Sequence, residues 1–126
     1  MATILVIDDE KAILGFLKER LMGEGFNVLT ASDGKEGMTL FNENQVDLVI
    51  TDIIMPDKDG FETIIELKRI CPDIKIIAMS GGGRGNPEHY LDTARCFRAQ
   101  YTLEKPFKTS DLLKTVYALL NKEKTS

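Results

Sequence analysis

Residues 3–10 read Thr3-Ile4-Leu5-Val6-Ile7-Asp8-Asp9-Glu10, a short apolar run rich in β-branched side chains that ends abruptly in three carboxylates. A continuous apolar run of this length, without polar alternation, marks a strand buried on both faces, as in a parallel sheet sandwiched between helices. A third strand reads at Val46 to Thr51, followed by Asp52, and a fourth at Ile74-Lys75-Ile76-Ile77-Ala78-Met79, followed by Ser80. Asn27-Val28-Leu29-Thr30-Ala31 is a more polar strand suited to a sheet edge, and Tyr101-Thr102-Leu103 is a fifth, short one.

Helical periodicity fills the gaps. Across residues 10–24 the apolar positions are Ile13, Leu14, Leu17, Leu21 and Met22, closed by Gly23 and Gly25. Ser32-Asp33-Gly34 supplies N-cap chemistry for a helix to about Asn44. After turn residues 56–60, Phe61, Ile64, Ile65 and Lys68 share a helical face. Asn86-Pro87-Glu88 is a helix start, with an Asn cap and Pro at the first helical position. Thr109-Ser110-Asp111 caps a last helix striped by Leu112, Leu113, Val116, Tyr117, Leu119 and Leu120. Five strands alternating with five helices predict an α/β fold, a parallel sheet covered by helices on both faces. The domain spans 1–121, and 122–126 reads as a polar tail.

With 126 residues the chain has room for one domain. Sixteen Lys+Arg against twenty Asp+Glu leave a net charge of −4, which argues against nucleic-acid binding by this chain alone. No apolar run is long enough to span a bilayer, and the N-terminus lacks the flanks of a signal peptide, so the expectation is a cytoplasmic protein without membrane contact. Cys71 and Cys96 lack metal-site spacing and read as reduced, partly buried thiols.

In parallel α/β sheets, ligands bind outside the carboxyl ends of the strands, so the residues following each strand decide function. Those residues are Asp8-Asp9-Glu10, then Asp52, then Ser80 with a glycine-rich stretch at 81–85, then Lys105-Pro106-Phe107. Each has an ordinary structural use: an Asp pair caps helices, Asp59-Gly60 makes turns, and a lysine before a proline sits on surfaces. Those uses do not explain why all fall on one sheet edge. If the first and third strands are neighbours, ~4.8 Å apart, Asp8, Asp9 and Asp52 crowd together and repel unless a cation sits among them. Oxygen ligands without His or Cys nearby select a hard ion, Mg²⁺ first, and Mg²⁺ suits phosphoryl transfer.

With these residues in place, the chain resembles the receiver domain of two-component response regulators over about residues 3–121. The resemblance rests on Asp8-Asp9, Asp52 with Met55-Pro56 and Asp59-Gly60, Ser80, and Lys105-Pro106-Phe107. It implies a doubly wound, flavodoxin-like sheet of order 2-1-3-4-5. It implies Asp52 as phosphoacceptor, and Mg²⁺ bound by Asp9, Asp52 and the backbone carbonyl of Ile54, with Asp8 holding a metal-bound water. Ser80 would donate to a phosphoryl oxygen, Lys105 would pair with the phosphoryl group, and a cis peptide is expected at Lys105-Pro106. The implied partners are a sensor histidine kinase or histidine phosphotransfer protein and a downstream protein target. Without an effector domain, output runs through protein contacts, or the chain is part of a longer protein.

The sequence also departs from the family. An aromatic residue usually stands three positions before the lysine. Here Thr102 holds that place and Tyr101 precedes it, on the opposite face of the strand. Switching is therefore expected to fall on the segment 81–85 and the helix start near Asn86. Rival readings fare worse. A phosphatase of the haloacid-dehalogenase type wants Asp-x-Asp after the first strand, where Glu10 stands instead, and would turn over phosphomonoesters. A flavodoxin-like flavin binder needs a Ser/Thr/Gly-rich phosphate loop where Asp8-Asp9-Glu10 would repel it, and would be coloured. An adaptor that is never phosphorylated would not need this set of residues. His89 reads as a surface residue, and Asp57 with Asp59 fails as a calcium loop because Met55 occupies the first ligand position.

Overall fold

The computed structural model describes residues 2–53, 60–80 and 100–124. Five strands form one parallel sheet: β1 (Thr3–Ile7), β2 (Asn27–Ala31), β3 (Leu48–Asp52), β4 (Lys75–Ser80) and β5 (Tyr101–Glu104), in the order β2-β1-β3-β4-β5. Four helices lie among the described residues: α1 (Lys11–Gly23), α2 (Gly34–Glu43), α3 (Gly60–Ile70) and α4 (Thr109–Lys124). The helix expected from Asn86 and the glycine-rich stretch at 81–85 lie outside the described residues.

Burial on both faces is the reason the strands read as uninterrupted apolar runs. Ile4, Leu5, Val6 and Ile7 are all fully buried, as are Leu48, Val49 and Ile50. Alternate residues serve opposite layers. Leu5, Ile7, Val49, Ile76 and Ala78 pack with Met38 and Phe41 of α2 and Ile64 and Leu67 of α3. Ile4, Val6, Leu48, Ile50, Ile77 and Met79 pack with Leu14, Leu17 and Leu21 of α1 and Leu112, Val116, Leu119 and Leu120 of α4. Burying a side chain of this size contributes roughly 1.5–3 kcal/mol, so these two layers supply the main drive for folding. β2, the polar strand, takes one edge, with Asn27 exposed and only Ala31 fully buried.

Helix ends aim the chain back into the sheet. α1 closes with Gly25 at φ 96°, where Gly25 N–H donates to Met22 C=O (3.0 Å) and Phe26 N–H to Leu21 C=O (3.2 Å). This paired closure needs the left-handed conformation that glycine adopts without a Cβ clash, and it turns the chain straight into β2. α2 is capped by Asp33, whose carboxylate accepts from Glu36 N–H at 2.8 Å, while the Glu36 carboxylate accepts from Ser32 N–H at 2.6 Å.

Several boundaries differ from the sequence reading. β3 starts at Leu48 rather than Val46, because Asp47 joins β1 through its carboxylate, which accepts from Thr3 N–H at 2.8 Å. In α3 the inward stripe is Thr63, Ile64 and Leu67, all fully buried, while Ile65 is 42% exposed. Residue 65 lies ~100° around the helix from 64, off the stripe that 63 and 67 share. α4 is entered from Lys108, whose carbonyl accepts from Asp111 and Leu112 N–H, so Thr109 opens the helix instead of capping it. The same helix continues to Lys124, into the stretch read as a polar tail.

Candidate functional site

The sheet ladders deliver the acidic residues to one edge. β1 pairs in register with β3, Ile7 opposite Thr51, so both chains run out of strand side by side. Main-chain bonds continue past the strands: Asp8 N–H donates to Ala31 C=O at 3.1 Å, and Ile53 N–H to Met79 C=O at 3.0 Å. Asp8 and Asp52 therefore sit on fixed backbone rather than on loop. Asp8 is fully buried, Asp52 is 6% exposed, and Asp9 is half-buried. One carboxylate oxygen from each of Asp8, Asp9 and Asp52 lies within 4.8 Å of the others, a spacing that could hold a metal ion.

Lys105 closes the group from the far side. Its side chain crosses the C-terminal edge past β4 and β3 and donates to Asp8 Oδ2 at 2.7 Å. The same ammonium lies 3.6 Å from Asp52 Oδ2 and 3.7 Å from Glu10 Oε1. The peptide bond between Lys105 and Pro106 is cis, as the family resemblance implies. Asp8 uses its other oxygen to accept from Glu10 N–H at 2.9 Å, which fixes the turn into α1.

The protonation balance follows from this packing. Burial pushes the Asp8 carboxyl above its ordinary range, outweighing the pull of the Lys105 hydrogen bond, the Glu10 N–H and the lysine charge. For Lys105, burial would lower the pKa, but the hydrogen bond to Asp8 and the charges of Asp52, Asp8 and Glu10 leave it raised. The ammonium thus stays charged at neutral pH. Three carboxylates, Asp8, Asp52 and Glu10, then face one ammonium, with Asp9 beside Asp8 and Asp52, a local excess of negative charge that favours a divalent cation. The donor set is all oxygen, which suits Mg²⁺.

Of the residues singled out by sequence, the structure brings Asp8, Asp9, Asp52 and Lys105 together. Ser80 is the last residue of β4, in register with Glu104 of β5 on the same sheet edge. Ile54, Asp57, Asp59, the segment 81–85 and His89 lie outside the described residues. Thr102 is opposite Ala78 and half-buried, whereas Tyr101 is 45% exposed. Sequence reading used Glu10 to set rival functions aside but gave it no role within the site. Its place one residue beyond the Asp pair was the available signal.

Comparison with known proteins agrees with this geometry. The family described as the response regulator receiver domain matches residues 4–117. A response regulator receiver domain protein from Clostridium thermocellum has the same fold, with a TM-score of 0.89 and 37% identity, over 99% of this chain and 98% of that one. The response regulator TrrA from Thermotoga maritima, solved in complex with Mg²⁺-BeF, gives a TM-score of 0.83 and 35% identity over 94% of this chain and 99% of that one. The transcriptional regulatory protein CpxR from Klebsiella pneumoniae is 34% identical over 122 residues, 97% of this chain and 50% of CpxR. The chain spans about half the length of CpxR and of the response regulator SaeR from Staphylococcus aureus, and 18% of the transcriptional regulatory protein GlrR from Escherichia coli. On the fold, on the carboxylate edge and on these likenesses together, the chain belongs to the response regulator receiver domain family.

Proposed function

We propose that Asp52 accepts a phosphoryl group from a sensor histidine kinase or histidine phosphotransfer protein, and that the phosphorylated chain signals through contacts with a downstream protein target in the cytoplasm. One observation carries this reading: Asp8, Asp9 and Asp52 converge within 4.8 Å while the Lys105 ammonium lies 3.6 Å from Asp52 Oδ2. A carboxylate oxygen of Asp52 attacks phosphorus, the bond from phosphorus to the donor histidine nitrogen breaks, and the electron pair leaves with the imidazole. An acyl phosphate results.

Each neighbour has a part. Asp9 and Asp52, with the main-chain carbonyl of Ile54, would hold Mg²⁺, and Asp8 would act on it through water; the likeness to TrrA, solved with Mg²⁺-BeF, supports the choice of ion. When bound, Mg²⁺ offsets the charge that gathers on the transferring oxygens. Lys105 swings its ammonium from Asp8 to a phosphoryl oxygen, and Ser80 donates its hydroxyl to another. The chain promotes only its own phosphorylation and dephosphorylation and turns over no separate substrate. Intact mass after incubation with acetyl phosphate and Mg²⁺ is expected to rise by one phosphoryl unit, and Asp52→Asn to abolish the rise. Equal labelling of Asp52→Asn would refute the assignment.

A further inference from the structure

Resting on that reading, we infer that Glu10 is a specificity-determining residue, which discriminates among phosphoryl donors by their charge. Its carboxylate lies 3.7 Å from the Lys105 ammonium, on the solvent side of the site, and its side chain is 57% exposed. Asp8 and Asp52, by contrast, are buried and close against the same ammonium. Glu10 and Lys105 also line one open groove of about 320 Å³ with Ile13, Phe16, Pro106 and Phe107, so the Glu10 charge stands where Lys105 meets the surface.

Structural duties do not account for the side chain. Glu10 holds the N-cap position of α1 with no side-chain cap hydrogen bond. Its main chain does that work: the carbonyl accepts from Ile13 and Leu14 N–H, and the N–H donates to Asp8. As an ion pair at a wet rim it is worth little to stability. What the carboxylate does is add one negative charge beside the lysine that must turn to a phosphoryl oxygen. An ammonium–phosphoryl bond of ~2.8 Å leaves the Glu10 carboxylate about 6.5 Å or less from the incoming charge. In water-like surroundings, a unit charge at that range slows a singly charged donor about threefold and a doubly charged one about ninefold. A donor held on a protein surface brings its own counter-charges and contacts, and escapes most of this penalty.

The test compares acetyl phosphate, doubly charged at pH 7, with phosphoramidate, predominantly singly charged. In both, an Asp52 oxygen attacks phosphorus; acetate leaves as the anion in the first, and ammonia leaves after taking a proton in the second. With Mg²⁺ and low salt, Glu10→Gln is expected to speed labelling about ninefold with acetyl phosphate and about threefold with phosphoramidate. The gap should close in 1 M salt, where the screening length falls to ~3 Å. Glu10→Asp retains the charge and should retain the discrimination. Glu43→Gln, which changes net charge equally at the far end of α2, should not alter the ratio of the two donors. Equal acceleration of both donors, an effect that survives 1 M salt, or the same split in Glu43→Gln would each overturn the inference. Absence of labelling in the unmutated chain would instead refute the assignment of Asp52, so the two failures are distinguishable.

Discussion

Replacing Lys105 with methionine should destabilise the metal-free protein in a pH-dependent way, with the sign set by Asp8. The lysine supplies a 2.7 Å bond to Asp8 Oδ2, and the Asp8 side chain is fully buried. Methionine nearly matches the stem in volume, so packing changes little and the chief loss is the charge partner. Removing one member of a buried pair costs about 3–5 kcal/mol, because the remaining charge is left uncompensated. Here Asp8 retains the Glu10 N–H, and the 12% exposure of Lys105 admits some water, so about 3 kcal/mol is expected at pH 7 without Mg²⁺. For a chain of this length that corresponds to a fall in Tm of about 10 °C.

Asp8 in the folded protein already titrates above its ordinary value of 3.8, and losing the lysine raises it further. A carboxyl whose folded pKa is raised contributes no penalty while it is protonated in both states. The penalty appears above 3.8 and grows as pH climbs through the folded value. Lys105→Met should therefore approach the parent near pH 4 and diverge from it toward pH 7. Urea unfolding followed by far-ultraviolet circular dichroism at several pH values, in chelator, measures this directly. Added Mg²⁺ should restore part of the loss by replacing the missing positive charge. A deficit independent of pH, or one below about 1 kcal/mol at pH 7, would refute the electrostatic account.

Asp9→Ala should abolish most Mg²⁺ affinity in a calorimetric titration while leaving the metal-free protein as stable or slightly more so, since it relieves repulsion among the acids; unchanged affinity would place the ion elsewhere. A Cβ at Gly37 would sit 2.5 Å from Ile7 Cδ1, and Ile7 is fully buried, so Gly37→Ala should lower stability by about 1–3 kcal/mol despite its better helix propensity. Gly15 on α1 has nothing within 4 Å of that position, so Gly15→Ala should raise stability by up to about 1 kcal/mol in the same denaturation assay.

Strands buried on both faces were legible because their buried positions stay apolar until the strand nears the site, at Thr51 and Asp52 in β3, and β1 and β2 fall where the sequence put them. The carboxylate edge was legible for a related reason: each strand stops being apolar where it meets the site. Other features depend on atoms distant in sequence. Asp47 holds the start of β3 back to Leu48 because its carboxylate serves a main-chain group 44 residues away. The resting place of Lys105 on Asp8 spans 97 residues and is set by the packing of the whole edge, which no local pattern encodes. The entry to α4 went astray because Thr109 has the chemistry of a cap, while the backbone of Lys108 does the work.

The unbroken sheet has a consequence for how the molecule accumulates change. Among the described residues, the apolar layer under α2 and α3 and the layer under α1 and α4 have no buried side chain in common. Substitutions more than 7–10 Å apart without shared partners combine additively to within about 0.5 kcal/mol. A sequence could therefore drift on the α2–α3 side without constraining its drift on the α1–α4 side. Epistasis should run within each layer and fade across the sheet, so that the chain diversifies as two nearly separable halves around a backbone they both require.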